Sequence, residues 1–149
     1  MDAVIFIGIQ GSGKSTFYRR RFFESHLRIS LDMLKTRHRE RLLVEACITA
    51  GQRFVVDNTN VLRSERAEYI HRARDAGFRI HGYFFAPQAH RAIAWNEQRA
   101  GKARIPLKGL LGTLKRLERP ALEEGFDFLY QVDVDAANEF VVTALVPPA

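Results

Sequence analysis

A glycine-rich segment near the start of the chain carries the residues best suited to bind phosphate. From Gly8 to Ser15 it follows the spacing G-x-x-x-x-G-K-S, between the apolar run Ala3–Ile7 and a helix-compatible stretch. Glycines let the backbone N–H groups curl toward phosphate oxygens, and the following helix adds the positive end of its dipole. In this pattern Lys14 reaches the β and γ phosphates, and the Ser15 hydroxyl binds Mg²⁺. The expected phosphate-binding residues are Gln10, Gly11, Ser12, Gly13, Lys14, Ser15 and Thr16.

A first carboxylate follows the next predicted strand. Asp32 comes directly after Leu27–Ser30, where it would face the terminal phosphate of a bound nucleotide. It could accept the proton of an acceptor hydroxyl, or orient that hydroxyl for attack. It could equally cap the next helix, and the local sequence leaves both interpretations open.

A second carboxylate ends another apolar strand, in the sequence Phe54-Val55-Val56-Asp57-Asn58-Thr59-Asn60. A carboxylate at this position can hold Mg²⁺ directly or through water. The alternative is an Asp/Asn turn without a metal. Four consecutive small polar residues after a buried strand favour a site, with Ser15 and Asp57 as the predicted metal ligands.

Two basic segments could contact phosphate. Arg99, Lys102 and Arg104 surround Gly101 between two helical stretches, and such a segment can close over a nucleotide as a lid or remain a solvated loop. The run Arg19–Arg21 lies on the helix after the glycine-rich loop. It is interpreted mainly as a solvated face, with nucleic acid as the alternative contact.

Composition is typical of one globular domain over residues 1–149, with 46% hydrophobic and 27% charged residues. No apolar run approaches the roughly 20 residues of a membrane span, and no signal peptide is expected, so the cytoplasm is predicted. The single cysteine, Cys47, is expected in the core. The net charge of +6 fits either an arginine-rich surface or a phosphate-rich partner, and no obligate protein partner is predicted.

Predicted strands and helices alternate along the chain, which indicates an α/β fold with a parallel sheet. The expected strands are 4–7, 27–30, 54–57, 79–85 and 128–134. The expected helices are 14–24, 33–50, 64–76, 87–99 and 107–117, with one more possible before Pro147. Ligands of such sheets bind beyond the carboxyl ends of the strands, so the glycine-rich loop, Asp32 and Asp57 are expected to meet at one edge.

The chain resembles the P-loop kinase module of polynucleotide 5′-hydroxyl kinases over nearly its whole length. The segments that carry the resemblance are Gly8–Ser15, Ile29–Asp32, Asp57–Asn60, Asn96–Arg99 up to Ile105-Pro106, Glu118–Pro120 and Glu123–Asp127. The resemblance implies an adenylate-kinase-like sheet of five parallel strands in the order 2-3-1-4-5, with a helical lid at about residues 88–118. It also implies ATP and Mg²⁺.

The resemblance further assigns roles to individual residues. Asp32 would be the general base, Asp57 an essential carboxylate, and Arg99 a lid arginine on the ATP phosphates. The acceptor side would comprise Asp32, Lys35, Asp57 and Asn60. There are two departures: Lys35 stands where the family usually has an arginine, and Trp95 where some members have another lid arginine. Lysine keeps the charge but loses the bidentate fork of arginine.

Three functions remain in consideration. The leading hypothesis is a kinase that phosphorylates the 5′-hydroxyl of a DNA or RNA end, with Lys14, Mg²⁺ and Arg99 neutralising charge on the transferred group. The second is a kinase of a small hydroxyl compound such as a sugar, nucleoside or antibiotic. The third is a nucleotide-binding module without transfer activity, in which Asp32 would be only a helix cap.

Overall fold

The central element is a six-stranded sheet in the order β2-β3-β1-β4-β5-β6. The computed structural model describes residues 1–87 and 106–145. The strands are β1 (Asp2–Ile7), β2 (Leu27–Ile29), β3 (Phe54–Val56), β4 (Arg79–Phe85), β5 (Phe128–Val134) and β6 (Phe140–Ala144). From β2 to β5 all neighbouring strands are parallel, so the expected order 2-3-1-4-5 is confirmed.

Helices connect the parallel strands. They are α1 (Lys14–Arg21), α2 (Leu31–Leu34), α3 (Arg37–Ala50), α4 (Arg63–Asp75) and α5 (Leu107–Arg116), followed by a 3-10 turn at Leu122–Glu124. Gly51 ends α3 in the left-handed conformation, with φ of 68°, as its position in the sequence predicted. None of these helices is long and apolar enough to cross a membrane.

Each face of the sheet covers its own apolar core. On the side of α3 and α4, the β-strand residues Ile5, Ile29 and Phe54 pack with the helical residues Cys47 and Ile70. Cys47 is therefore a core residue, as expected. The α1 side is strongly aromatic, and its rings include Phe6, Phe17 and Phe85. Edge-to-face contacts between these rings add to the free energy of apolar burial.

Three helix predictions need correction. The helix predicted over residues 33–50 is divided, because Lys35 adopts a φ of 74°, which no α-helix contains. The Thr36 hydroxyl then accepts a hydrogen bond from the Arg39 amide and starts α3. The helix predicted to follow Ser64 as its cap begins earlier, at Arg63, where the Glu65 carboxylate accepts from the Leu62 amide. The helix after the glycine-rich loop ends at Arg21 rather than near Glu24.

The C-terminal segment also differs from its prediction. A helix was possible there, but Phe140–Ala144 pairs antiparallel with β5. Phe140 and Val142 point into the core on the α1 side, which gives the alternation of a half-buried strand. β-Branched and aromatic residues in succession favour this extended conformation. The predicted helix from Pro87 to Arg99, and with it most of the lid segment, lies outside the described residues.

Candidate active site

The glycine-rich loop has the geometry of a phosphate-binding loop. Gly11 and Gly13 adopt φ values of 77° and 91°, which L-residues with side chains rarely accept. Gly13 precedes α1, and no side chain caps this helix. The first N–H groups of a helix have no acceptor within the helix, so the start of α1 is suited to bind an anion.

Gly8 is required by close packing at the base of the loop. A Cβ atom built on it would lie 2.9 Å from both the Phe85 Cβ and the Ser12 Oγ. The Gly8 amide donates to the Thr59 carbonyl at 2.9 Å, which joins this loop to the segment after β3. Residues 51 positions apart are thus held together at the carboxyl edge of the sheet.

The Lys14 ammonium lies folded over the loop. Its Nζ donates to the carbonyls of Gly8 and Ile9 at 2.9 and 2.8 Å, with Ser12 Oγ at 3.4 Å. The residue is only 9% exposed, so its charge is held next to the start of α1. An ammonium group in this position can exchange carbonyl oxygens for phosphate oxygens by a side-chain rotation.

Ser15 and Asp57, the two residues predicted as metal ligands, lie in contact. The Ser15 hydroxyl donates to Asp57 Oδ2 at 3.3 Å, and the Asp57 side chain is 2% exposed. A third residue joins them: Arg28 Nε donates to the same Oδ2 at 2.8 Å, and its Nη2 donates to Ser15 Oγ at 3.0 Å. Sequence reasoning did not identify Arg28, because nothing in the β2 sequence distinguishes an arginine that faces the loop.

The donor set fits Mg²⁺. A hydroxyl oxygen and a carboxylate oxygen are the ligands that this hard cation prefers, and nucleotide phosphates and waters usually complete its coordination. Ser15 and Asp57 would hold the ion beside the start of α1. The Arg28 guanidinium contacts the same two oxygens, so the ion and these Arg28 contacts are alternatives.

The segment after β3 links the phosphate-binding loop to α2. Asn58 Oδ1 accepts from the Leu31 amide at 2.9 Å, and Asn58 Nδ2 donates to Glu40 Oε2 at 2.7 Å. These bonds fix the first turn of α2, where Asp32 lies. Asp32 is not the helix cap, since Ser30 occupies that position. Its carboxylate is exposed and makes no hydrogen bond or ion pair with any described residue.

Glu40 is the buried centre of this link. It is 4% exposed and accepts hydrogen bonds from Tyr69 at 2.5 Å and from Arg37 at 3.1 Å, in addition to Asn58. Burial and the adjacent Glu40 carboxylate raise the pKa of Tyr69, so its hydroxyl remains a donor. A carboxylate with three donors tolerates burial as an anion. Sequence reasoning missed Glu40 because it occupies the first turn of an ordinary amphipathic helix.

The other predicted site residues are placed differently. Lys35 is exposed and directly follows α2 as its C-terminal cap, three residues after Asp32. Asn60 is 2% exposed, and its amide donates to the Phe6 carbonyl at 2.8 Å. It joins the loop to β1, and the structure gives it no surface with which to bind an acceptor. Arg99 lies outside the described residues.

Helix α5 packs directly on the phosphate-binding loop. Gln10 Nε2 donates to Thr113 Oγ1 at 3.1 Å, and Ile9 forms a small apolar cluster with Leu110 and Leu114. The leucine spacing predicted this helix, but its contact with a loop 103 residues away depends on the tertiary fold. The end of the predicted lid segment thus lies against the nucleotide site.

The parallel sheet, the glycine-rich loop before α1 and the carboxylate after β3 define a P-loop NTPase domain of the kinase-like type. Residues 4–120 match the model of the AAA domain family, and the chain belongs to this family. The class expected from the sequence is confirmed at this level.

Solved structures of similar fold include a gluconokinase, a sugar kinase and Kti12. A gluconokinase from Sinorhizobium meliloti 1021 has a TM-score of 0.63 and 21% identity, with 89% of this chain and 82% of that chain covered. A sugar kinase from Janibacter sp. HTCC2649 has a TM-score of 0.68 and 18% identity, with 89% and 85% covered. Kti12 from Chaetomium thermophilum, in complex with ADP-AlF3, has a TM-score of 0.65 and 18% identity, with 91% and 92% covered. At these identities the similarity shows the fold, and none of the three is named as a polynucleotide kinase.

Proposed function

We propose that this chain is an ATP-dependent kinase that transfers the γ-phosphate to the 5′-hydroxyl of a DNA or RNA end. The observation that carries the proposal is the exposed Asp32 carboxylate on α2. It lies at the same sheet edge as the phosphate-binding loop and is unpaired among the described residues. A partner-free carboxylate at this position is suited to accept a proton from an alcohol.

In the proposed reaction the acceptor oxygen bonds to the γ-phosphorus and its proton passes to Asp32. The bond from the γ-phosphorus to the bridging oxygen breaks, and ADP leaves. The start of α1 and Lys14 would stabilise the negative charge of the phosphates. Ser15 and Asp57 would hold Mg²⁺, which neutralises phosphate charge when bound. Arg99 is proposed as the lid arginine.

A nucleic-acid acceptor is supported by charge and by the resemblance in motifs. The chain carries a net charge of +6, and Arg19–Arg21 are exposed on α1. Exposed Lys35 beside Asp32 could contact the first phosphate of a strand. The second candidate is a small hydroxyl compound. It is favoured by the fold shared with a gluconokinase and a sugar kinase, because the same base and loop would serve either acceptor.

Transfer of label from γ-labelled ATP separates the candidates. The protein is incubated with Mg²⁺ and 5′-hydroxyl DNA and RNA oligonucleotides, with the same oligonucleotides carrying a 5′-phosphate as matched controls, and with gluconate and a panel of sugars and nucleosides. We expect label on the 5′-hydroxyl oligonucleotides only. Label on a small compound alone would establish the second candidate, and nucleotide binding without any transfer would contradict both.

The salt dependence of acceptor binding tests independently whether the acceptor is a nucleic acid. When basic residues of a protein neutralise several phosphates of an oligonucleotide, binding weakens steeply as salt rises. We expect oligonucleotide affinity to fall by at least tenfold between about 50 and 200 mM salt. Affinity for a neutral sugar would change little over this range.

A further inference from the structure

Arg28 occupies the predicted metal site from the neighbouring strand. It lies in the middle of β2, where parallel pairing places it opposite Val55 of β3. Its side chain reaches past the end of β3, with Nε 2.8 Å from Asp57 Oδ2 and Nη2 3.0 Å from Ser15 Oγ. The backbone is fixed by the sheet, so only the side chain can leave this position.

The guanidinium and a metal ion held by Ser15 and Asp57 compete for the same two oxygens, Ser15 Oγ and Asp57 Oδ2. Asp57 Oδ2 is the carboxylate oxygen that faces Ser15, and it already accepts from both Ser15 and Arg28. Mg²⁺ takes oxygen ligands at about 2.0–2.1 Å in near-ideal octahedral geometry, and a guanidinium bonded to both oxygens at once would crowd that arrangement. Two positive charges at one carboxylate would also repel each other.

Burial explains why a cation is needed there at all. The Asp57 side chain is 2% exposed, and an unpaired buried carboxylate is strongly unfavourable. Arg28 is 25% exposed along its side chain, so it can rotate into solvent without any change in the sheet. Arg28 therefore supplies a cation that can be exchanged for another.

We propose that Arg28 is the resident counter-ion of Asp57 and competes with the divalent ion for the Asp57 and Ser15 oxygens. It keeps the two ligands together and compensates the charge of the Asp57 carboxylate until the ion binds with nucleotide. It thereby sets the concentration of divalent ion at which the site fills. The nucleotide part of this inference rests on the proposed function, whereas the competition itself needs only Ser15, Asp57 and Arg28.

The test measures metal binding directly. Mn²⁺ is titrated into the nucleotide-free protein and free Mn²⁺ is followed by electron paramagnetic resonance. We expect Arg28→Gln to bind Mn²⁺ about tenfold more tightly than the wild type, which corresponds to about 1.4 kcal/mol. Arg53→Gln is the matched control, since Arg53 is exposed, lies before β3 and has no side-chain partner among the described residues. It removes the same charge and should leave Mn²⁺ affinity within about twofold, because distant exposed charges are screened.

Opposite results would overturn the inference. If Arg28→Gln binds Mn²⁺ with unchanged or lower affinity, Arg28 positions the ligands instead of competing for them. An equal gain in Arg28→Gln and Arg53→Gln would reduce the effect to net charge. Arg28→Lys provides a second variant if the glutamine variant folds poorly: it keeps the charge but loses the two-point contact, so its Mn²⁺ affinity should lie between wild type and Arg28→Gln.

A second measurement, of nucleotide binding, distinguishes failure of this inference from failure of the proposed function. Binding of fluorescent ADP is measured at increasing Mg²⁺, and the half-saturating Mg²⁺ concentration should be about tenfold lower in Arg28→Gln. If the wild type binds no nucleotide at all, the proposed function fails while the Mn²⁺ titration still decides the competition. If nucleotide binds and neither readout shifts, only the competition fails.

Discussion

At the scale of single residues, the site contains charged side chains that are hydrogen-bonded to other residues and the Asp32 carboxylate, which is not. Lys14 is bonded to loop carbonyls and Asp57 to Arg28 and Ser15, whereas Asp32 has no partner among residues 1–87 and 106–145. Side chains that bind phosphate or metal do so more effectively when hydrogen bonds already hold them in position. A base must instead be free to bond to the hydroxyl that it deprotonates.

Asp32→Asn tests this division of roles. It removes the proton acceptor but keeps size and polarity, so transfer to the acceptor should fall by about 10²- to 10⁴-fold. Nucleotide affinity should change by less than about twofold, because the phosphates bind at the start of α1. Rates are measured with labelled ATP under single-turnover conditions, and nucleotide affinity by fluorescent ADP.

Asp75→Asn is the control for Asp32→Asn. Asp75 is exposed at the end of α4, near the opposite edge of the sheet, and its loss should leave transfer unchanged. Retention of most transfer activity in Asp32→Asn would remove Asp32 from the role of base.

At the scale of elements, the short helix α2 depends on its neighbours for its position. Four residues are too few for a stable helix in isolation. The Leu31 amide is bonded to Asn58, and the Leu34 carbonyl accepts from the Arg39 guanidinium at 3.1 Å. The base is thus carried by an element whose orientation is set by the segment after β3 and by α3.

Asn58→Ala should loosen α2 without affecting the nucleotide site. It removes the acceptor of the Leu31 amide and a donor to buried Glu40, a loss of about 2 kcal/mol. Hydrogen exchange of residues 31–34 should accelerate and transfer should slow, while affinity for fluorescent ADP is retained. Gln52→Ala, which removes an exposed amide bonded only to the next residue's carbonyl, is the control. Unchanged exchange at residues 31–34 would show that α2 is held by other contacts.

His81, which belongs to an aromatic cross-strand pair between β4 and β5, should make the stability of the protein depend on pH. The His81 ring stacks on Phe128 at 4.8 Å between centroids, and burial lowers the pKa of His81 below its ordinary value of 6.5. The folded state therefore binds a proton less readily than the unfolded chain. Stability should be constant above about pH 6.5 with respect to this group, and should fall as pH drops from 6.5 toward the lowered pKa.

Urea denaturation at several pH values tests this expectation. His81→Phe keeps the stacking but cannot be protonated, so the loss of stability between pH 6.5 and 5 should be smaller than in the wild type. His71→Gln, at an exposed position on α4, should retain the wild-type dependence. Equal slopes for His81→Phe and wild type would contradict the assignment.

At the scale of the whole molecule, one buried ion pair joins distant parts of the chain. Arg66 is fully buried and forms a two-point contact with Glu124, with N–O distances of 2.8 and 3.1 Å. Arg66 also donates to the carbonyls of Asn60 and Val61. The segment after β3, helix α4 and the turn before β5 are therefore held by a single guanidinium.

Removing one member of this pair should be strongly destabilising. Glu124→Ala leaves a buried guanidinium without its carboxylate, which should lower the free energy of unfolding by about 3–5 kcal/mol. Replacing both residues, as in Arg66→Met with Glu124→Leu, should recover a large part of this loss. The free energies are measured by urea denaturation.

The adjacent residue provides the control for Glu124. Glu123 is 74% exposed along its side chain and lies 3.5 Å from Arg63, so Glu123→Ala should cost less than about 1 kcal/mol. Similar losses for the two alanine variants would indicate that burial of the Arg66–Glu124 pair contributes nothing.

The sequence alone determined those features that depend on neighbouring residues. The strand, the glycine-rich loop and the start of the helix at Lys14 follow one another in the sequence and were predicted correctly, although the helix ends at Arg21 rather than near Glu24. The order of the five parallel strands, which the family resemblance implied, is also confirmed. The tertiary structure decided what depends on residues far apart in the chain. Arg28 meets Asp57 across 29 positions, Leu31 meets Asn58 across 27, and Gln10 meets Thr113 across 103. Local propensity and periodicity carry no information about such pairs, because side-chain hydrogen bonds form only after the strands are placed side by side.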